Sequence, residues 1–321
     1  MKILHVIVSY NFPAYLNNIV NSLKFFSVPG DIMIIDNGSD CENMLTLLAE
    51  YEKNDIAKVT SLGRNNSDSK VGSLYDANNF SIEYALSNDY DLICFYQDDL
   101  QLVHYADGLS AIKSILDSDR SISMVVPLMH KKILHKNFES RFIRRDDLGT
   151  FESRDYGVAD IGVMSVDFIR RSGFRFSDSE TEHSQKWFKE GYKVHFLQEA
   201  YLIYVPWVAV RRNNKVIGKE FEISDDLYIK PLSSDDMLRL KGSVKSSPIY
   251  TDDFCVPDGW TCLYPYWYTD CDPQYFKWLM RSGLKLRMVG KNKGMGLRPT
   301  GAQLLRLFVP AELRSLLRRN N

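Results

Sequence analysis

Short apolar segments rich in β-branched residues alternate with longer amphipathic segments along the first 130 residues of the chain. Apolar runs of about four to eight residues bounded by turn formers are typical of buried strands, and apolar residues three or four apart are typical of helices. The predicted strands are Ile3–Ser9, Asp31–Asp36, Ala57–Leu62, Tyr90–Tyr96 and Ile122–Val126. The predicted helices run from Pro13 to about Phe26, from Glu42 to Glu52 and from about Leu74 to Ser87.

The pattern is less regular in the remainder of the chain. The charged, turn-rich residues 128–157 predict a long mobile loop. A strand over Asp160–Val166, a helix over Thr181–Glu190 and a strand over Val194–Leu197 are predicted next, after which the alternation fades. We therefore expect an α/β domain over residues 1–205 and an extension over residues 206–321.

Strand–helix alternation predicts a Rossmann-like α/β fold, with a mostly parallel sheet flanked by helices. Ligands of such sheets bind beyond the carboxyl ends of the strands. We therefore expect the polar residues at those ends to converge on one rim of the sheet. These residues are Ser9, Tyr10, Asn11, Asp36, Gly63, Arg64, Gln97, Asp98 and Asp99.

The composition is that of an ordinary globular protein, and it limits the kinds of partner and compartment to expect. The chain has 321 residues and a formal net charge of −1, so no global positive field favours nucleic acid as a partner. The five cysteines are an odd number without a CxxC pair, which favours a reducing compartment. No signal peptide is visible, and the longest apolar candidate, Tyr201–Val210, contains Pro206. We expect a cytoplasmic protein.

Asp98 and Asp99, the twin aspartates, end an apolar strand in the stretch "YDLICFYQDDLQLV". Two adjacent carboxylates repel each other, so something must offset the cost of keeping both ionised. A divalent cation, a basic side chain or open water would serve, and an alternative is a pair of solvated acids that opens a loop. A divalent cation would be Mn²⁺ or Mg²⁺, held by the carboxylates together with phosphate oxygens.

Four blocks in order resemble the family-2-like nucleotide-sugar glycosyltransferases of the GT-A fold. They are "VIVSYN" (6–11), "IIDNGSD" (34–40), "CFYQDDLQL" (94–102) and "ETEHSQKWFKEGYKV" (180–194). The resemblance implies a nucleotide pocket in which Tyr10 stacks on the base, Asp36 accepts a hydrogen bond from a uracil or thymine N–H, and Arg64 approaches the base or the phosphates. Aromatic faces and carboxylates suit these contacts chemically.

The resemblance also divides the twin aspartates, with Asp98 near the ribose or sugar and Asp99 toward the metal. Gln97 stands where the family's D-x-D motif has its first acid, and an amide is a poorer metal ligand than a carboxylate. The segment "VADIGVMS" (158–165) resembles the part that lines the sugar and the acceptor, so Asp160 is a candidate for a sugar hydroxyl. Asp160 could instead cap a turn.

A general base must take the proton of the acceptor hydroxyl. By resemblance this base precedes a helix that ends in a Gly and an aromatic residue, as "EGY" (190–192) does, which points to Glu180 or Glu182. Both could instead be first-turn glutamates that stabilise the helix N-terminus. A base on one side and a leaving group on the other imply a single displacement, with inversion at the anomeric carbon.

The C-terminal third is aromatic over residues 248–278 and basic over residues 285–321. The aromatic segment could stack on an acceptor sugar or form a small core. The segment "GAQLLRLFVPAELRSLLRR" (301–319) places apolar and basic residues on different sides of a helix, which suits either an anionic membrane surface or a protein partner. A membrane contact would place the protein on the inner face of the membrane, with a glycan or glycolipid as acceptor.

We therefore expect an inverting, metal-assisted glycosyltransferase that uses a nucleotide sugar, with UDP as the favoured nucleotide. A non-catalytic, sugar-binding scaffold is the alternative, because Gln97 and the unsettled base depart from the family pattern. A nucleotidyltransferase or dinucleotide-dependent oxidoreductase would need a Gly-rich loop after the first strand, where this chain reads "SYNFPAYLNN". The oligomeric state is left open.

Overall fold

The computed structural model describes residues 1–62, 72–102, 104–105, 107–127, 141–177, 180–199, 201–204, 210–212, 215–217, 255–256 and 260–261. The first half consists of β1 (Ile3–Ser9), α1 (Pro13–Phe25), β2 (Asp31–Asp36), α2 (Glu42–Lys53), β3 (Lys58–Ser61), α3 (Gly72–Ser87) and β4 (Leu92–Gln97). The second half consists of β5 (Leu100–Leu102), α4 (Gly108–Ser118), β6 (Ile122–Val126), β7 (Phe142–Arg145), β8 (Thr150–Ser153), β9 (Gly162–Ser165), α5 (Val166–Ser172), α6 (Glu180–Lys189), β10 (Lys193–Leu197) and β11 (Leu202–Tyr204).

Nine of these strands form one sheet in the order β3-β2-β1-β4-β9-β6-β10-β8-β7. The four strands β3, β2, β1 and β4 are mutually parallel, and β6 and β10 are parallel to each other. β9 and β8 run in the opposite direction to their neighbours. The predicted α/β class, with a mostly parallel sheet flanked by helices, is confirmed.

The strand order reverses between β1 and β4. The chain moves outward from β1 through β2 to β3, and α3 then carries it back to β4 on the other side of β1. Because parallel crossovers are right-handed, this reversal places α1 and α2 on one face of the sheet and α3 on the other. The carboxyl ends of β1 and β4 therefore border a crevice, which is where such sheets bind ligands.

Strand β1 shows why the sheet is buried. All seven of its residues are buried, including His5 and Ser9, because helices cover both faces of a parallel sheet. His5 is accommodated by two hydrogen bonds, one between Nε2 and the carbonyl of Pro29 (3.0 Å) and one between Nδ1 and the hydroxyl of Tyr96 (3.2 Å). The carbonyl can only accept, so the neutral ring carries its proton on Nε2.

Aromatic side chains join the last helix of the domain to β4. Phe95 of β4 packs on Phe176 with ring centroids 5.4 Å apart, and Phe176 stacks on His183 of α6 at 5.5 Å. Phe174 packs on Trp187, also of α6, at 4.9 Å. This packing fixes α6 against the face of the sheet to which Phe95 points, and Gln97 points to that same face because side chains alternate along a strand.

The prediction of a mobile loop over residues 128–157 is wrong for its second part, where β7 and β8 form an antiparallel hairpin. The charges that suggested a loop are paired within the hairpin. Arg145 Nη2 donates to Asp147 Oδ2 (2.8 Å) and its Nη1 donates to Glu152 Oε2 (3.2 Å). Phe142 and Phe151 supply the buried side. Residues 128–140 lie outside the described part of the chain.

The structure also corrects smaller boundaries. Helix α4 was not predicted, although Leu109, Ile112, Ile115 and Leu116 form its buried side. The strand predicted over Asp160–Val166 is shorter, because Val166 already begins α5. Two further pairs, Val210–Arg212 with Lys215–Ile217 and Cys255–Val256 with Trp260–Thr261, are antiparallel. The described residues contain no helix long and apolar enough to cross a bilayer.

Candidate active site

The ends of β1 and β4 are joined by a hydrogen bond across the crevice. Ser9 Oγ donates to Asp98 Oδ2 at 2.7 Å, and the backbone N–H of Tyr10 points to the same oxygen at 3.4 Å. Strand pairing places Ser9 beside Asp36 and Val8 beside Gln97. The structure therefore brings Tyr10, Asp36 and Asp98 together on one rim, as the sequence predicts.

Asp36 is held firmly at the end of β2. Both of its carboxylate oxygens accept from the backbone N–H of Ser39 (3.2 and 3.0 Å), and Oδ2 also accepts from Ser61 Oγ at 3.1 Å. Only 1% of the residue is exposed. Its visible role is to fix the "DNGS" turn and the end of β3, and its predicted contact with a base N–H stays a prediction.

Asn11 ties the loop after β1 to the turn after β2. Its backbone has a φ of 54°, in the left-handed region that asparagine tolerates better than most residues. Asn11 Nδ2 donates to Asp40 Oδ1 (2.6 Å), and Asn11 Oδ1 accepts from the backbone N–H groups of Asp40 and Cys41 (2.9 and 3.1 Å). The loop that carries Tyr10 is therefore held to Asp98 on one side and to the turn after β2 on the other.

The twin aspartates share an environment that opposes two full charges. Asp99 is buried, with 7% of its surface exposed, and Asp98 is half-buried. Burial, and then the charge of Asp99, raise the pKa of Asp98 to about 8. The hydrogen bond from Ser9 acts in the opposite direction but does not cancel these effects.

A divalent cation fits this pair, because it would remove the repulsion that raises the pKa of Asp98. Among the described residues no three His, Cys, Asp or Glu side chains are grouped closely enough to hold a metal by themselves. Two carboxylates suit a hard cation such as Mg²⁺ only when bound phosphate and water complete its shell. The residues therefore fit a cation that binds together with a phosphate-containing ligand.

Gln97 binds Asp160 through its side-chain amide. Its Nε2 donates to Asp160 Oδ2 at 3.0 Å, so Asp160 lies at the rim next to the twin aspartates. Asp160 reaches this position because the antiparallel strand β9 lies directly beside β4. Asp160 therefore lies beside Gln97 at the carboxyl end of β4, and its predicted contact with a sugar hydroxyl stays a prediction.

The candidate bases lie on α6. Glu182 is exposed, whereas His183, Ser184 and Trp187 point inward. Glu180 is the first residue of the helix, and its side chain lies outside what the structure describes. The link from this helix to the rim is the aromatic packing on Phe95. Arg64, the aromatic segment 248–278 and the basic tail likewise lie outside the described residues, apart from two short strands in the aromatic segment.

The sequence does not single out the hydrogen-bond partners of the rim carboxylates. The sequence predicts that Ser9 and Gln97 lie on the rim, but it predicts neither their bonds to Asp98 and Asp160 nor a role for Ser39 and Ser61. Small hydroxyl residues at the last position of adjacent parallel strands are the signal that could have found Ser9 and Ser61, because their register with Asp36 follows from strand pairing.

Comparison with family models gave no match, and neither did comparison with curated proteins. The solved structures that are similar include TarS 1-349 of S. aureus, at 16% identity and a TM-score of 0.46, covering 64% of this chain and 61% of that one. A mannosyltransferase from Pyrobaculum calidifontis, PcManGT, in complex with GDP-Man and Mn²⁺, has 11% identity, a TM-score of 0.46, and coverage of 66% and 58%. GalNAc-T7 with UDP, GalNAc and Mn²⁺ has 15% identity, a TM-score of 0.46, and coverage of 67% and 45%.

This chain thus spans less than two thirds of the length of each of these three proteins. The likeness to these structures concerns the fold alone. The chemistry of the rim is argued below from the residues themselves.

Proposed function

We propose that this protein is a glycosyltransferase that transfers a sugar from a nucleotide sugar, with UDP as the nucleotide, to an acceptor hydroxyl with inversion. The observation that carries the proposal is the hydrogen bond between Ser9 and Asp98 at the reversal of strand order, with Asp36 and Asp160 on the same rim. An extended ligand that presents a base, a ribose, a diphosphate and a sugar has a chemically suitable partner at each step along this rim.

The nucleoside end would lie over the loops that follow β1 and β2. Tyr10 offers an aromatic face for the base, and Asn11 and Ser39 hold its loop in place through the hydrogen bond from the Asn11 N–H to Ser39 Oγ (2.9 Å). Asp36 holds the turn at residues 36–39, which would hydrogen-bond to an edge of the base. Asp98, oriented by Ser9, would accept a hydrogen bond from a ribose or sugar hydroxyl.

Asp99, with Asp98, would hold a divalent cation such as Mn²⁺ or Mg²⁺. When bound, that cation supplies charge neutralisation for the diphosphate as it leaves. Gln97 contributes its amide to Asp160 instead of a third carboxylate to the cation. We therefore expect the cation to bind weakly to the free protein and more tightly together with the nucleotide.

The transfer itself is a single displacement. Glu180 or Glu182 takes the proton of the acceptor hydroxyl, the acceptor oxygen forms a bond to the anomeric carbon, and the bond from that carbon to the diphosphate oxygen breaks with its electron pair leaving on the diphosphate. Anchoring of α6 through Phe176 and His183 would hold the base at a constant distance from the rim. The rate depends steeply on that distance.

The acceptor follows only from the sequence. A basic, amphipathic segment over residues 301–319 suits an anionic membrane surface, so we propose a lipid-linked or surface glycan as the acceptor and a peripheral position on the inner face of the membrane. Sedimentation with vesicles that contain about 30% anionic lipid, compared with neutral vesicles, tests the membrane contact.

The experiment that tests the proposed activity is a thermal-shift titration with UDP, ADP and GDP, each with and without Mn²⁺. A ligand at 100 times its Kd stabilises the native state by about 2.7 kcal/mol. UDP with Mn²⁺ should raise the Tm most. In Asp99→Ala the Tm shift caused by UDP should no longer depend on Mn²⁺. In the control Asp91→Ala, at an exposed acid directly before β4, that dependence should remain. Indifference to every nucleotide would refute the proposal, and binding without turnover on a donor panel would favour the non-catalytic alternative.

A further inference from the structure

Gln97 and Asp160 are a cross-strand pair at the end of the β4–β9 ladder. Phe95 of β4 lies opposite Gly162 of the antiparallel strand β9. The same register, continued by two residues, places Gln97, the last residue of β4, opposite Asp160, which precedes β9. The hydrogen bond from Gln97 Nε2 to Asp160 Oδ2 at 3.0 Å joins the two half-buried side chains.

The position of Asp160 is fixed by the strand that follows it. Gly162 has a φ of 151°, and an added Cβ would lie 2.8 Å from the side chain of Met124. A larger residue would be strained in this backbone conformation and would have to displace the Met124 side chain. Gly162 thus suits the strand that begins two residues after Asp160 and pairs with β4.

We propose that Gln97 is a positioning residue that holds Asp160 as the acceptor for a hydroxyl of the transferred sugar, so that the pair selects the donor sugar; this inference rests on the proposed function. Gln97 directly precedes the twin aspartates, so Asp160 lies beside the predicted diphosphate, to which the transferred sugar is attached. An ionised carboxylate only accepts hydrogen bonds, and a sugar hydroxyl can donate one.

The side chain of Gln97 is a neutral amide, and this neutrality allows it to donate a hydrogen bond to Asp160. An acid at position 97 would place two like charges at hydrogen-bond distance and would turn Asp160 away from the rim. An amide donor orients one oxygen of Asp160 without cancelling its charge, and a charged acceptor forms a stronger hydrogen bond to a hydroxyl than a neutral one does. The replacement of the first acid of the D-x-D pattern thus has a structural reason in this chain.

Four variants separate sugar selection from a purely structural role. Gln97→Leu removes the donor, and Asp160→Asn removes the charge. Gln97→Glu introduces like-charge repulsion. The double variant Gln97→Glu with Asp160→Asn restores the hydrogen bond with donor and acceptor exchanged, but leaves no carboxylate at position 160.

The measurement is isothermal titration of each variant with UDP and with a panel of UDP-hexoses and UDP-N-acetylhexosamines, in the presence of Mn²⁺. Wild-type protein should bind one UDP-sugar more tightly than UDP. In Gln97→Leu and in Asp160→Asn the Kd for the preferred UDP-sugar should rise roughly tenfold. The Kd for UDP itself should change by less than about twofold. The double variant should regain the wild-type Tm without regaining the sugar preference.

The inference is overturned if Gln97→Leu and Asp160→Asn keep the wild-type preference, or if the double variant recovers it, because the pair would then be structural. A wild-type protein that binds UDP but no UDP-sugar more tightly overturns it as well, and leaves the nucleotide site standing. A wild-type protein that binds no nucleotide removes the proposed function together with this inference.

Discussion

Three buried histidines should make the protein sensitive to mild acid. His5, His183 and His195 are at most 3% exposed, and burial lowers the pKa of each from 6.5 to about 4. Between these values the unfolded chain binds more protons than the native protein, so stability is present above pH 6.5 and is lost as the pH falls toward 4. At pH 5 each histidine should reduce the free energy of unfolding by about 2 kcal/mol.

The contacts of these histidines explain why protonation should destabilise the native protein. His5 already uses both ring nitrogens, and a second proton would place a donor where the Tyr96 hydroxyl now donates. His183 lies among the rings of Phe174 and Phe176, and its burial there removes the water that would solvate its charged form. His195 has Glu152 3.8 Å away, which partly offsets the cost of its burial. Together the three should cost about 6 kcal/mol at pH 5, a large part of the typical stability of a domain.

The assay is urea unfolding at pH 7 and pH 5, followed by circular dichroism. It should be made in an Asp98→Asn background, since the raised pKa of Asp98 gives a pH dependence of the opposite sign. Replacing one histidine, as in His5→Gln or His195→Gln, should reduce the difference between the two pH values by about a third. The reasoning is refuted if these variants keep the full difference, or if Asp98→Asn protein is equally stable at both pH values.

Three further outcomes follow from the packing and from the rim. Ser9→Ala removes the bond between the ends of β1 and β4 and should lower kcat/KM about tenfold, whereas Ser9→Thr, which keeps the hydroxyl, should lower it less. Phe176→Ala should lower the free energy of unfolding by about 3–5 kcal/mol in urea, and by less as Phe176→Leu. Gly157→Ala would place a Cβ 2.1 Å from the backbone nitrogen of Phe188, so its Tm should fall clearly, while Glu52→Ala on the exposed side of α2 should leave the Tm within about a degree.

The parallel half of the sheet could be predicted because burial on both faces leaves a plain trace in the sequence. β1, β2 and β6 begin and end where the apolar runs do, and polar or turn-forming residues stop each run. The hairpin of β7 and β8 could not be predicted in the same way. Its charged residues pair with one another, as Arg145 does with Glu152, and such charges suggest a loop until their partners are known.

The candidate site shows the same division. Residues at the carboxyl ends of parallel strands, such as Asp36 and Asp98, could be placed on one rim from topology alone. The pairing of Gln97 with Asp160 could not, because it depends on β9 being inserted between β4 and β6 in the reverse direction. That insertion joins segments about 60 residues apart, and no local pattern records it.

Uncharged groups hold the described carboxyls at the ends of β2 and β4. The described donors to Asp98 are a hydroxyl and a backbone N–H, and those to Asp36 are of the same kinds, so no charged group among the described residues orients either carboxyl. Uncharged donors orient a carboxylate without cancelling its charge, and burial excludes open water from Asp99. A diphosphate would add negative charge to this rim, so we expect it to bind only when a cation accompanies it. Uridine carries no phosphate, and its binding should therefore be indifferent to Mn²⁺ where that of UDP is not.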